Sequence, residues 1–157
     1  MTEMYRVNIG IMLVNNEGKV FVGKRVDTSN AAWQMPQGGV DEGEEPETAL
    51  FREMYEEVGI EKDKVALISI ADEWLSYDFP QDVRTKLWEG NYKGQKQKWF
   101  LLHFIGNDRD INLNTSEKPE FCEYKWVDPK ELPSLAVSFK KDVYQRLLNL
   151  FQEDLGL

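Results

Sequence analysis

The chain has one cysteine, one histidine and fewer basic than acidic residues, and it lacks any long apolar run. Cys122 has no partner for an internal bridge, which excludes a disulfide scaffold, and the start MTEMYRVNIG lacks the basic-then-apolar layout of a secretory signal. Both absences fit a reducing cytoplasm. The longest apolar stretches, such as Val65 to Ala71, fall far short of the ~20 residues that span a bilayer, so no membrane partner is expected. With 19 Lys and Arg against 28 Asp and Glu, the formal charge is -9. That balance argues against a broad electrostatic footprint on DNA or other nucleic acid. A polyphosphate partner would have to be met locally, by a bound cation or a few placed basic side chains.

What is present reads as an ordinary globular chain, 41% hydrophobic and 30% charged over 157 residues. A chain of this length buries about two-thirds of its unfolded surface, so a single domain over residues 1–157 is expected, with a monomer favoured. Arg6 to Val14 and Lys19 to Lys24 read as strands joined by the turn Asn15-Asn16-Glu17-Gly18, a hairpin. A polar loop, Asp27 to Asn30, precedes Trp33-Gln34-Met35-Pro36-Gln37-Gly38-Gly39, where Pro and paired Gly interrupt regular structure.

Pro46 to Val58 predicts one amphipathic helix. Pro46 suits its first turn, Ala49, Leu50, Met54 and Val58 form its apolar stripe, and Gly59 suits a left-handed stop. Val65 to Trp74, Lys98 to Phe104 and Phe121 to Val127 read as buried strands. The polar stretch from Tyr77 to Gln97, which contains Trp88, reads as a substrate-side loop or an irregular excursion. Ser138 to Phe151 reads as one closing helix, with Val143, Leu147, Leu150 and Phe151 on its apolar side. This order suggests a mixed sheet flanked by helices. Trp33, Trp74, Trp99 and Trp126 are expected to pack, and His103, inside an apolar strand, is given no catalytic role.

The chemistry concentrates on the central helix, where Glu53, Glu56 and Glu57 stand at i, i+3 and i+4 within an arc of about 100°. Two carboxylates about 5 Å apart repel by roughly 3 kcal/mol at an effective dielectric near 20, which favours protonation, splaying or a cation. Oxygen-only ligands select hard ions, Mg²⁺ first, with Mn²⁺ or another divalent ion able to substitute. Such an ion would neutralise phosphate oxygens and acidify an attacking water. Solvated glutamates on a surface helix would give the same local pattern, and the surrounding residues decide against that reading.

Gly38, Glu44, Arg52, Glu53, Met54, Glu56, Glu57, Gly59 and Ile60 occupy all nine specified positions of G-x5-E-x7-R-E-U-x-E-E-x-G-U, where U is aliphatic. The chain thereby resembles the Nudix hydrolases. The resemblance implies an α/β/α sandwich with a mixed β-sheet and a loop-helix-loop catalytic motif. It implies that Glu53, Glu56 and Glu57 hold Mg²⁺, with the Gly38 carbonyl as an additional ligand, and that Glu44 and Arg52 brace the motif.

Outside this box, WQMPQGG (33–39), GQKQKWF (94–100), PEF (119–121) and VSFK (137–140) resemble one subgroup, the bacterial RNA pyrophosphohydrolases and asymmetric dinucleoside tetraphosphate hydrolases. The subgroup implies that Glu120 completes the metal site and that Arg6, Arg25 and Lys140 contact phosphates. Gln37, Gln95 and Gln97 are further candidates for substrate contact, the last two on the same side of a strand. Phe139 is a candidate for base stacking. The residues assigned to catalysis are Glu53, Glu57, Glu120 and Arg52, with Glu53 the first candidate base and Glu57 or Glu120 as alternatives. The expected substrates are 5'-phosphorylated RNA, whose trimming would initiate mRNA decay, or a dinucleoside polyphosphate such as diadenosine tetraphosphate. A noncatalytic nucleotide-binding module would be expected to have lost box carboxylates, and none is missing. Relatives often carry serine directly before the tryptophan of the first segment, where this chain has Ala31-Ala32-Trp33.

Overall fold

The computed structural model describes residues 4–26, 32–87 and 90–157. The loop Asp27 to Asn30, Ala31 and Trp88 lie outside the described residues. The described strands form one seven-stranded sheet built on the path β4-β6-β1-β2-β7. These are β1 (Tyr5–Val14), β2 (Val20–Arg25), β4 (Val65–Ile70), β6 (Gly94–Phe104) and β7 (Phe121–Val127). Two short strands sit off that path: β3 (Gln37–Gly39) pairs with β1, and β5 (Leu75–Asp78) pairs with β6. Only the β1–β6 pair is parallel, running in register from Tyr5 opposite Gly94 to Val14 opposite His103; the other pairs are antiparallel. The sheet is mixed, as expected.

Alternation along β1 and β6 sends side chains to two different cores. Ile9, Ile11, Leu13, Phe100 and Leu102 pack against Ala49, Leu50, Met54 and Val58 of α1 (Pro46–Val58). Met12, Trp99 and Leu101 pack on the other side against Val143, Tyr144 and Leu147 of α4 (Lys141–Leu150). One helix on each face makes the α/β/α sandwich. Gly59 ends α1 at φ +73°, the left-handed conformation that glycine adopts without strain, and its N–H donates to the Tyr55 carbonyl. Among the described residues no helix is long and apolar enough to cross a membrane.

Four expectations are corrected. The stretch Val65 to Trp74 is not a buried strand: β4 ends at Ile70 and is an edge strand with Leu67, Ile68 and Ile70 exposed. Trp74 is likewise exposed, flanked by the ammonium groups of Lys96 and Lys98 rather than by core side chains. Its apolar residues signal strand propensity, which does not distinguish an edge from a centre.

The stretch Tyr77 to Gln97 is not a continuous loop either. It contains the end of β5, the short helix α2 (Gln81–Arg84) and the first residues of β6. Polar residues there hid two strand ends, because their partners are other buried polar groups. The closing helix is broken into a 3-10 turn at Ser138–Lys140, α4, and α5 (Gln152–Leu155), which follows Phe151. A further short helix, α3 (Leu132–Leu135), packs on α4.

Candidate active site

Helix α1 and β3 carry the box, and Arg52 holds the two together. Its Nε and Nη2 donate to the two oxygens of Glu44 at 2.9 and 2.8 Å, a bidentate fork, while Nη2 also donates to the Gly39 carbonyl at 2.9 Å. Its Nη1 donates to Glu53 Oε1 at 2.9 Å. Glu44 also accepts from the Asp41 N–H, and the Arg52 hydrogen bonds pull its carboxyl down to about 2. Glu44 and Arg52 therefore brace the loop against the helix. Arg52, expected among the catalytic groups, does not line the cleft beside the box and adjoins it through its hydrogen bond to Glu53.

The cleft has a volume of about 580 Å³ and lies on the α4 side of the sheet. Glu53 and Glu57 reach it past Gly38 and Gly39. A Cβ at Gly38 would overlap the Glu53 carboxyl, and one at Gly39 would overlap the Arg6 guanidinium. Both glycines are thus required by space. Burial, aided by repulsion from Glu56 and Glu120 and opposed by Arg52, raises Glu53 to about 7. Burial, with repulsion from Glu53 and Glu120, pushes Glu57 well above the usual carboxylate range. Its Oε2 is buried with no hydrogen-bond partner.

Glu120 enters from the start of β7. A register shift between Lys24 and Arg25 sets Arg25 opposite Phe121, and Arg25 Nη1 lies 3.0 Å from Glu120 Oε2. Lys140, buried in the 3-10 turn before α4, lines the same cleft, and burial together with the nearby Arg25 charge lowers it to about 8. Its Nζ donates to Gln34 Oε1 at 3.3 Å. Phe139 stands edge-on to Tyr77 and Phe79, at centroid separations of 5.6 and 6.3 Å, and forms an apolar wall.

The structure therefore brings Arg6, Arg25, Gln37, Gly38, Glu53, Glu57, Gln95, Glu120, Phe139 and Lys140 to one cleft. Glu56 does not join them. It is half-exposed and turned toward Arg52 Nη1 at 3.4 Å, and among the described residues no three His, Cys, Asp or Glu side chains stand ready-made as an ion cage. Gln97 also departs from its expected role: it is buried beneath the cleft, donating to Asn8 and accepting from the Trp99 indole.

The remaining oxygens fit a divalent cation. A buried, unpaired Glu57 oxygen beside Glu53 and Glu120 is costly without a positive partner, and the donors are hard.

Asn8, Trp33, Tyr77, Phe79, Lys86 and Leu87 also line the cleft and were not expected there. Tyr77 and Lys86 fall in the stretch read as a substrate-side loop, which was the available signal. Trp33, expected only to pack, has Lys125 Nζ 4.4 Å from its ring centroid. Ala32, directly before Trp33, also lines the cleft.

With this geometry, the family model of the NUDIX domain matches residues 4–147. The chain belongs to the Nudix family. It is similar to the RNA pyrophosphohydrolase of Zymomonas mobilis subsp. mobilis, 49% identical over 151 residues that cover 96% of this chain and 97% of that one. The RNA pyrophosphohydrolase of Roseobacter denitrificans is 48% identical, covering 96% and 94%. Among solved structures, the E. coli dihydroneopterin triphosphate pyrophosphohydrolase superposes with a TM-score of 0.71 at 24% identity, covering 92% of this chain and 97% of that one. An Ap4A hydrolase of C. elegans superposes at 0.64 with 18% identity, covering 93% and 98%. The structural likenesses bear on the fold alone.

Proposed function

We propose that this protein is an RNA 5'-pyrophosphohydrolase, which hydrolyses the 5'-triphosphate or diphosphate end of RNA to a 5'-monophosphate. The observation that carries this reading is the shared cleft, in which Glu53, Glu57 and Glu120 meet Arg6, Arg25 and Lys140 beside the aromatic wall of Phe139. The name borne by relatives at 48–49% identity over nearly their whole length supports the substrate.

Glu53, Glu57 and Glu120 would hold the divalent ion, Mg²⁺ by preference. Half-exposed Glu56 would join by rotating away from Arg52. When bound, the ion neutralises phosphate oxygens and makes a water more acidic. Arg6, Arg25 and Lys140 bind the remaining phosphate charge, with the guanidinium groups suited to bidentate contact. Phe139 stacks on a base, which tolerates any base identity. Water attacks a phosphoanhydride phosphorus, the bond to the leaving phosphate or pyrophosphate breaks, and a carboxylate takes the proton from the water. Glu53, which lines the cleft beside Gly38, is the first candidate for that base, with Glu57 and Glu120 as the rivals.

The test is incubation of purified protein and Mg²⁺ with triphosphate-ended RNA and, separately, with diadenosine tetraphosphate. Monophosphate RNA and released pyrophosphate are expected, with the higher kcat/KM on RNA. Intact RNA, or a strong preference for the dinucleotide, would overturn the assignment.

A further inference from the structure

Beneath the phosphate-facing cations lies a directed chain of side-chain hydrogen bonds on β1, β5 and β6. The Trp99 indole N–H donates to Gln97 Oε1 at 3.0 Å, and Gln97 Nε2 donates to Asn8 Oδ1 at 2.8 Å. Asn8 Nδ2 donates to Gln95 Oε1 at 2.9 Å, and the same oxygen accepts from Arg6 Nη1 at 3.1 Å. Gln95 Nε2 then donates to the Tyr77 hydroxyl at 2.7 Å, which also accepts from Gln37 Nε2 at 3.0 Å. Asn8, Gln95 and Gln97 are each 5% exposed or less, so water cannot readily replace a lost partner.

The direction of this chain follows from chemistry. An indole and a guanidinium only donate, whereas a primary amide has one donating and one accepting end. Trp99 at one end requires the oxygen of Gln97, and Arg6 at the other requires the oxygen of Gln95. Three amides between two obligate donors then have one arrangement in which no donor meets a donor. Gly39 leaves space over which the Arg6 guanidinium lies, so Arg6 is held by an acceptor on one side and by a missing Cβ on the other.

We infer that Trp99, Gln97 and Asn8 are positioning residues for substrate binding: their relay fixes Gln95 as an acceptor that aims Arg6 into the cleft. This rests on the proposed reading of Arg6 as a phosphate ligand. Trp99 and Gln97 do not line the cleft, so their effect on substrate passes through the relay.

Gln97→Glu tests the direction. With its carboxyl ionised, at the alkaline end of the assay range, position 97 still accepts from Trp99 but gives Asn8 no donor. Asn8 must turn its amino group toward position 97, and Gln95 must turn its own toward Asn8 and Arg6. Protonated, a carboxyl this buried donates to Asn8 as glutamine does, so the effect should grow as pH rises. The expected result is a KM for triphosphate-ended RNA raised about tenfold with kcat within about threefold, and displaced side-chain amide NMR signals of Asn8 and Gln95. Binding of inorganic tripolyphosphate, measured by calorimetry with Mg²⁺ present, should weaken in parallel, which reads the relay even if RNA is not the substrate. Gln97→Met, which removes both ends without adding charge, serves as the second variant and should disorder the same signals. Unchanged tripolyphosphate affinity and unmoved Asn8 and Gln95 signals in folded Gln97→Met, or in Gln97→Glu with its carboxyl ionised, would overturn the inference.

Discussion

On the α1 side of β1 and β6, Ile9, Ile11, Leu13, Phe100 and Leu102 pack against the apolar stripe of the helix, and these side chains are closed to water. On the α4 side, the same two strands present Met12, Trp99 and Leu101 at one end and Asn8, Gln95 and Gln97 at the other. Both faces carry polar side chains toward the start of β6, half-buried Lys96 and Lys98 on the first and amides on the second, but only the second buries them fully. Apolar packing is non-directional and tolerates small displacements, whereas buried amides must find partners with particular orientations. The cleft occupies the polar end of the second face, and Glu53 and Glu57 reach it from the α1 side past two glycines.

Replacing the candidate base should separate the faces most sharply. Glu53→Gln is expected to lower kcat by about 10²–10⁴-fold, the usual contribution of proton transfer, while thermal melting stays close to wild type. An unaffected rate would remove Glu53 from the role. Ile11→Ala on the α1 side should do the reverse, costing about 2–5 kcal/mol in denaturant unfolding with KM unchanged in the folded fraction. A shifted KM would mean that the faces are not independent.

Lys140 sharpens the comparison through pH. Its folded value of about 8 lies below the ordinary 10.5, so between those values the unfolded chain holds a proton that the folded protein has lost. Stability from this group therefore rises with pH from about 8 to 10.5, and below 8 the buried ammonium costs about 3 kcal/mol. Lys140→Met should be more stable than wild type at pH 7 and should abolish that rise, while weakening tripolyphosphate binding. Melting curves across pH 6 to 11 check the sign. The smallest effect belongs to the exposed edge: Ile68→Thr should change stability by no more than about 0.5 kcal/mol, and a loss several times larger would show that something covers β4.

Much of the machinery was legible because it is local. The three helix glutamates share a face through i, i+3, i+4 spacing, Pro46 and Gly59 bound the helix that forms, and the Arg52–Glu44 brace joins fixed positions of the same box. The hairpin was also legible, within a residue of its observed ends. Gln95 and Gln97 were correctly placed on one side of a strand, but alternation cannot say that one lines the cleft and the other lies beneath it.

Neighbouring residues and fixed spacing are enough to specify the acidic helix, its glycine-bearing loop and the family to which they belong. The tertiary structure alone decided three further matters: that Glu56 turns out toward Arg52, that Arg25 meets Glu120, and that Trp99 is a hydrogen-bond donor as well as a core side chain. Arg25 meets Glu120 because the β2–β7 pairing sets distant strands side by side, whereas Glu56 meets Arg52 one helical turn away and Trp99 meets Gln97 two residues along β6; spacing brings such near neighbours within reach but does not say which partner the packed fold leaves them.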